Sequence, residues 1–203
     1  MYFSDVPGIV KWLMPSSLEW KVSSQEKNIY LTFDDGPIPE VTPWVVDVLR
    51  KYQAKATFFC VGENVYKHPE VYSMVQEAGH RTGNHSYNHL KGWSTPYHEY
   101  LENVARCQEL VKSPLFRPPH GQITLKLARA LRTEYRIIMW SMLSRDFDRN
   151  ITPETCLRNA INKSRPGTII VFHDSLKARD RLEYTLPRYI EHYSTQGYRF
   201  PAL

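Results

Sequence analysis

The run Ile29-Tyr-Leu-Thr-Phe-Asp-Asp-Gly-Pro37 decides how this chain folds. Residues 29–33 are rich in β-branched and aromatic types, which suit a buried pleated strand. Asp34-Asp-Gly-Pro37 then stops the strand, since Asp, Gly and Pro all favour turns. Just beyond, Trp44, Val45, Val48, Leu49 and Tyr52 recur at helical spacing. Strand, polar stop and amphipathic helix form one β/α unit.

The same unit repeats outward along the chain. Residues 56–61 read as a buried strand closed by Gly62, and 69–78 as a helix ended by Gly79. Residues 80–84 are a third strand. Thr95-Pro96 is an N-cap and first-turn proline for a helix through Tyr100, Leu101, Val104 and Leu110. Strands are expected at 115–117, 136–142 and 168–173, with a last one at 198–200. Helices are expected at 124–134, from the Thr152-Pro153 cap to about Lys163, and at 183–196. Alternation of this kind predicts a parallel sheet covered by helices, either an open doubly wound sheet or a closed barrel. The polar residues discriminate between them. Asp34 and Asp35 follow the first strand, His85 and His89 the third, Arg117 the fourth and Asp146 the fifth, while His173 ends the sixth. Side chains from so many strands converging on one C-terminal rim favour the barrel.

Composition narrows the class. At 203 residues and 23.8 kDa, with 42% hydrophobic and 23% charged residues, the chain suits one globular domain and excludes disorder or a collagen-like repeat. No apolar run reaches the roughly 18 residues of a membrane-spanning helix. Cys60, Cys107 and Cys156 form no CxxC pair, against both a disulfide framework and a cysteine zinc site. The net charge of +5 is scattered, which predicts no nucleic-acid partner but leaves room for attraction to an anionic polymer. Residues 1–20 lack a basic stretch, a long apolar core and a small-residue cleavage site, so no signal peptide is expected. Trp12, Leu13 and Met14 are read as a cap on the domain, and the location as cytoplasmic or peripheral at the cell envelope.

The chemistry begins with His85-Ser-Tyr-Asn-His89. Two imidazoles four residues apart share a face if the segment is a helical turn, and can then reach one ion. Asp34-Asp35 offers a carboxylate from another loop of the same rim. Two histidines and one carboxylate with an open position suit catalytic zinc and also non-haem iron(II). In an extended strand end, adjacent aspartates point opposite ways, so one can bind the ion while the other faces water as a base. Arg117 is the natural partner for that carboxylate. Asp146 can pair with His173 and keep it protonated for donation to a leaving amine.

Five motifs occur in order: Thr32-Phe-Asp-Asp-Gly-Pro37, His85-Ser-Tyr-Asn-His89, Arg117-Pro-Pro-His-Gly121, Arg145-Asp-Phe147 and Val171-Phe-His-Asp174. Together they resemble the polysaccharide deacetylases of the NodB-homology type, carbohydrate esterase family 4. The resemblance implies a distorted (β/α)7-8 barrel spanning residues 1–203 as a single domain, with a motif core at 29–200. It implies a hydrolase that removes N-linked acetyl groups from an N-acetylglucosamine-type glycan, peptidoglycan- or chitin-like. It also implies one divalent metal ion, zinc first, with cobalt, nickel or manganese as substitutes. Carried over by position, Asp34 is the general base and Asp35, His85 and His89 are the ligands. Arg117 orients the base, and Asp146 orients His173, the general acid. His120 supplies a backbone N–H to the oxyanion, and Phe147 and Val171 line the acetyl pocket. The chain departs from the family pattern at Leu143, where an acid is usual, at Phe147, where Trp is usual, and at His120, where an aromatic is usual. These departures bear on substrate choice. They also motivate the alternative of an inactive glycan-binding protein on the same scaffold.

Overall fold

A computed structural model describes residues 17–23 and 26–203. Trp12, Leu13 and Met14 lie outside the described residues. The strands are β1 (Leu18–Glu19), β2 (Ile29–Asp34), β3 (Ala56–Cys60), β4 (Arg81–Asn84), β5 (Leu115–Phe116), β6 (Arg136–Ile138), β7 (Met142–Leu143) and β8 (Thr168–His173). They form one sheet in the order β1-β6-β5-β4-β3-β2-β8-β7, every pair parallel. The sheet curls into a half-barrel, the distorted barrel that the sequence predicts. Its end strands β1 and β7 do not pair. The chain after β1 reaches the start of β8 instead, through Val22 N–H on the Gly167 carbonyl at 2.9 Å.

The helices are α1 (Thr42–Lys51), α2 (Gly62–Lys67), α3 (Pro69–Glu77), α4 (Tyr97–Val111), α5 (Leu125–Leu131), α6 (Pro153–Lys163) and α7 (Arg179–Ser194). Strand periodicity divides the core between two faces. Ile29, Leu31 and Phe33 of β2 point outward under the helices, where Phe33 stacks on Phe58 and Phe172 at 4.9 and 5.9 Å between ring centres. Val45, Val46 and Leu49 of α1 close over them. The opposite parity fills the barrel interior with Phe59, Leu115, Ile138 and Ile169. Parity therefore turns Thr32 and Asp34 inward. Cys60, Cys107 and Cys156 are free and buried. Among the described residues no helix is long and apolar enough to cross a membrane.

Four local expectations are corrected. The strand expected at 136–142 is two strands. Its first part pairs with β1 and β5 and its second with β8, because the chain crosses between the ends of the sheet at Trp140-Ser141. Thr95 does not cap α4: Pro96 holds the N-cap position without a side-chain bond, and Thr95 N–H closes a turn on Lys91. Residues 198–200 contribute one bridge, Asn28 to Arg199, and no strand. Helix α7 begins at Arg179, a turn earlier than expected, and α2 and β1 were not anticipated. Both are too short for periodicity to reveal.

Candidate active site

The predicted residues converge at the C-terminal ends of the strands, around a cleft of about 450 Å³. Asp34, Asp35, His85, His89, His120, Phe147, Val171 and His173 all line it. Arg117 and Asp146 lie beneath, both fully buried.

Arg117 anchors the site from inside the barrel. Its guanidinium sits 4.1 Å over the Phe59 ring and donates to the Ile138 and Met139 carbonyls at 3.2 and 2.9 Å. Nη1 donates to Thr32 Oγ1 and to Asp34 Oδ1, each at 2.7 Å. Burial pushes the guanidinium below its ordinary value, and the Asp34 charge opposes that shift. The carbonyl of Arg117 meanwhile accepts from His85 Nδ1–H at 2.7 Å. This bond fixes the tautomer and leaves the His85 Nε2 lone pair facing the cleft.

His85 Nε2 lies 4.0 Å from both Asp34 Oδ2 and Asp35 Oδ1, and His89 Nε2 lies 3.2 Å from Asp35 Oδ1. One donor atom from each of Asp35, His85 and His89 falls within 4.8 Å of the other two. Tetrahedral ligands at about 2.1 Å from a zinc ion lie roughly 3.4 Å apart, so small side-chain adjustments close this set on one cation. Burial pushes His85 down to about 4, with the neighbouring carboxylates opposing, so its nitrogen is free at neutral pH. Burial pushes the Asp35 carboxyl up, but His173, His89, His85 and His120 outweigh it and hold the group below its ordinary value.

Backbone conformation departs from the expectation at two points. The segment after β4 is not helical: Ser86 and His89 adopt φ of 60° and 56°, in a turn held by Ser86 N–H on Asn84 Oδ1 at 2.9 Å. The imidazoles still meet, with ring centres 5.0 Å apart. Asp35 does not continue the extended strand. Its φ of 84° swings its carboxyl into the same cleft as that of Asp34. His120 and Arg145 also hold left-handed backbone, at 58° and 63°, so unusual φ values gather around this rim.

Across the cleft Asp146 grips His173 twice, through Nδ1 and through the backbone N–H, both at 2.7 Å. Burial lowers His173, yet Asp146 first, and then Asp35 and Asp34, carry it up to about 9. Phe147 meets the His173 ring edge-on at 4.9 Å, and His120 lies 4.4 Å from the His89 ring.

Other residues complete the site without having been singled out from sequence. Buried Asp174 accepts from Gly36 N–H at 3.1 Å and Thr42 Oγ1 at 2.6 Å, tying the Asp34-Asp35 loop to β8 and α1. Buried Arg181 donates through Nε to the Asp146 carbonyl. Lys91, Gln122, Trp140 and Lys177 line the cleft. Asp174 stands in a quoted motif beside His173, a placement that could have marked it; the others follow no spacing rule.

Residues 21–137 match the family profile described as polysaccharide deacetylase. The chain belongs to that family. It is 36% identical over 189 residues to a peptidoglycan-N-acetylglucosamine deacetylase of Bacillus cereus, covering 89% of this chain and 88% of the relative. A chitooligosaccharide deacetylase of Azorhizobium caulinodans is 32% identical over 76% of this chain and 77% of its own length. Among solved structures, a peptidoglycan N-acetylglucosamine deacetylase in complex with 4-naphthalen-1-yl-N-oxidanyl-benzamide superposes with a TM-score of 0.88. It is 28% identical, with 98% of this chain and 95% of that chain covered. Membership of the deacetylase family accounts for the curled sheet.

Proposed function

We propose that this deacetylase removes the N-acetyl group from N-acetylglucosamine units of a glycan by metal-dependent hydrolysis, releasing acetate. One observation carries the reading: the Asp35-His85-His89 donor set lies in one cleft with the Arg117-bound carboxylate of Asp34 and the Asp146-bound imidazole of His173. The names of the relatives support the substrate class.

Asp35, His85 and His89 would hold the cation, for which two imidazoles and a carboxylate favour zinc, and which when bound polarises an amide carbonyl and acidifies water. Asp34 accepts the proton of the attacking water, its carboxylate aimed by the Arg117 bond at 2.7 Å. His120 N–H has no acceptor among the described residues and is available to a developing oxyanion. His173, held protonated at neutral pH by Asp146, donates to the leaving nitrogen. Phe147, Val171 and Leu143 give the cleft an apolar wall against which an acetyl methyl can rest.

The test is acetate release from chitooligosaccharides and peptidoglycan fragments by the zinc-loaded protein, beside Asp34→Asn. The reading expects release by the wild type and a fall of about 10²–10⁴ in the variant. Glycan binding with no acetate released under any divalent metal would instead support the inactive binding protein.

A further inference from the structure

We propose that a cavity at the N-terminal end of the sheet, lined by Arg50, Lys55 and His80, binds a phosphate group, either free or in a phosphodiester polymer.

The cavity holds about 290 Å³ and shares no lining residue with the cleft. Lys55 directly precedes β3, and His80 directly precedes β4. Strand β4 carries the chain from His80 to the ligand residue His85, about 16 Å at the rise of a strand. Cavity and cleft therefore lie at opposite ends of the same strands. Arg50 reaches the cavity from the last turn of α1.

The deciding group is His80, which is only 8% exposed. Its Nδ1 accepts from Ala56 N–H at 3.3 Å, which places the ring proton on Nε2. That N–H has no acceptor among the described residues, and it is not fully enclosed, so it reaches the cavity that the ring lines. Buried donors ordinarily find a partner. Two cations stand beside it. Lys55 Nζ donates to the Ala78 carbonyl at 2.7 Å, and Gly79 approaches it so closely that a Cβ there would lie 3.0 Å away. Two ammonium hydrogens remain. Arg50 spends Nη1 on Asp47 at 2.7 Å and keeps its other N–H groups. The carbonyl ends of α1 and α3 are reason enough for cations to gather here, but they leave the His80 donor unexplained.

The charge layout selects the ligand. Burial pushes His80 down to about 4, and Lys55 and Arg50 push it the same way, so the ring is neutral at pH 7 in a positive field. That field repels a metal ion and attracts an anion. A phosphate group accepts hydrogen bonds on several sides at once, so it can take the imidazole N–H together with both cations. The volume admits it with several waters, each of which occupies about 30 Å³.

The experiment titrates the full chain with inorganic phosphate and follows the His80 imidazole by proton NMR, its resonance assigned with His80→Gln. Phosphate also ligates a metal in the cleft, so the readout is a ring at the opposite end of the strands. Exposed ion pairs are weak, and a saturable shift is expected at millimolar phosphate. Arg50→Gln and Lys55→Gln each raise the Kd about two- to five-fold, the double variant raises it more than either, and Lys55→Arg retains the wild-type value. Both side chains are exposed, and matching melting curves without phosphate establish that the variants are folded. A glycerol phosphate oligomer forms the second arm. A shift at a lower concentration of phosphate groups than inorganic phosphate requires assigns the cavity to a polymer; otherwise the cavity takes free phosphate. A His80 resonance that moves with neither probe, or a Kd equal in the wild type and the double variant, overturns the proposal and leaves water as the only occupant. Acetate release is expected to be the same in these variants as in the wild type, so that failure would leave the deacetylase reading standing.

Discussion

At the residue scale, the site depends on a guanidinium placed where an apolar side chain would ordinarily sit. Arg117 is fully buried, and the Ile138 and Met139 carbonyls, Thr32 and Asp34 together satisfy it. Arg117→Ala strands the nearly buried Asp34 carboxylate among interior side chains. Removing one partner of a buried pair costs about 3–5 kcal/mol, which lowers the melting temperature by on the order of 10 °C for a chain of this length. Calorimetry checks this, and a drop of a degree or two would mean that Asp34 finds another donor. His173 gives a second prediction. Asp146 is the principal influence raising it to about 9, so the imidazolium persists through neutrality and is lost as pH rises past that value. Asp146→Asn removes that influence and leaves burial to lower the group. The alkaline limb of kcat against pH therefore shifts to lower pH; a limb that stays in place would assign it to another residue. Every one of these side chains could be named from the sequence, because the chemistry restricts the residue type. Their backbone could not: the left-handed φ of Asp35, Ser86 and His89 belongs to non-glycine residues, and the tertiary contacts around the rim hold it there.

At the element scale, loops and strand ends set the spacing between these groups. The loop from β2 to α1 is clamped by Asp174, whose carboxylate faces Gly36 so closely that a Cβ there would lie 1.9 Å from Oδ2. Gly36→Ala must push aside either the Asp174 carboxyl or the loop, and either way breaks the clamp that holds Asp35 beside His89. Metal affinity is expected to fall about 10–100-fold, the range seen when the groups supporting metal ligands are disturbed. Competition with a chromophoric chelator measures it, and an affinity within two-fold of wild type would refute the clamp. A remote cap provides contrast. Thr152 Oγ1 accepts from Thr155 N–H at the start of α6, so Thr152→Ala costs roughly 0.5–2 kcal/mol of stability while kcat stays at the wild-type value. Denaturant titration and acetate release, read together, separate the two variants. The Thr152-Pro153 cap was legible because side chain and backbone act within one turn. Thr95-Pro96 carries the same letters, yet Pro96 occupies the cap position there and Thr95 is used in the preceding turn. Likewise, strands β6 and β7 read as one run, since nothing local tells the chain to cross from one end of a curled sheet to the other.

At the scale of the molecule, parallel strands deliver their C-terminal ends to one rim, and the half-barrel leaves that rim open as a cleft. This arrangement was legible because the alternation of strand and helix is a property of the whole chain, whatever the fate of single boundaries. It also crowds charge: Asp34 and Asp35 share the cleft with His85 and His89, from loops after strands that are neighbours only through β3. A cation bound there joins the loop after β2 to the loop after β4 and offsets the repulsion between the two carboxylates, interactions that the unfolded chain lacks. Binding to the folded state alone stabilises it by about 2.7 kcal/mol at a metal concentration 100 times the dissociation constant. That corresponds to a gain of roughly 5–10 °C in melting temperature. Dialysis against a chelator should therefore lower the melting temperature as acetate release disappears, and zinc should restore both in one titration. His89→Ala should abolish the thermal gain without lowering the melting temperature of the metal-free protein by a comparable amount, since its ring is partly exposed and the rings it meets, His85 and His120, belong to the rim of the cleft. A gain from zinc that persists in His89→Ala would place the stabilising ion elsewhere on the molecule and separate it from the chemistry of this cleft.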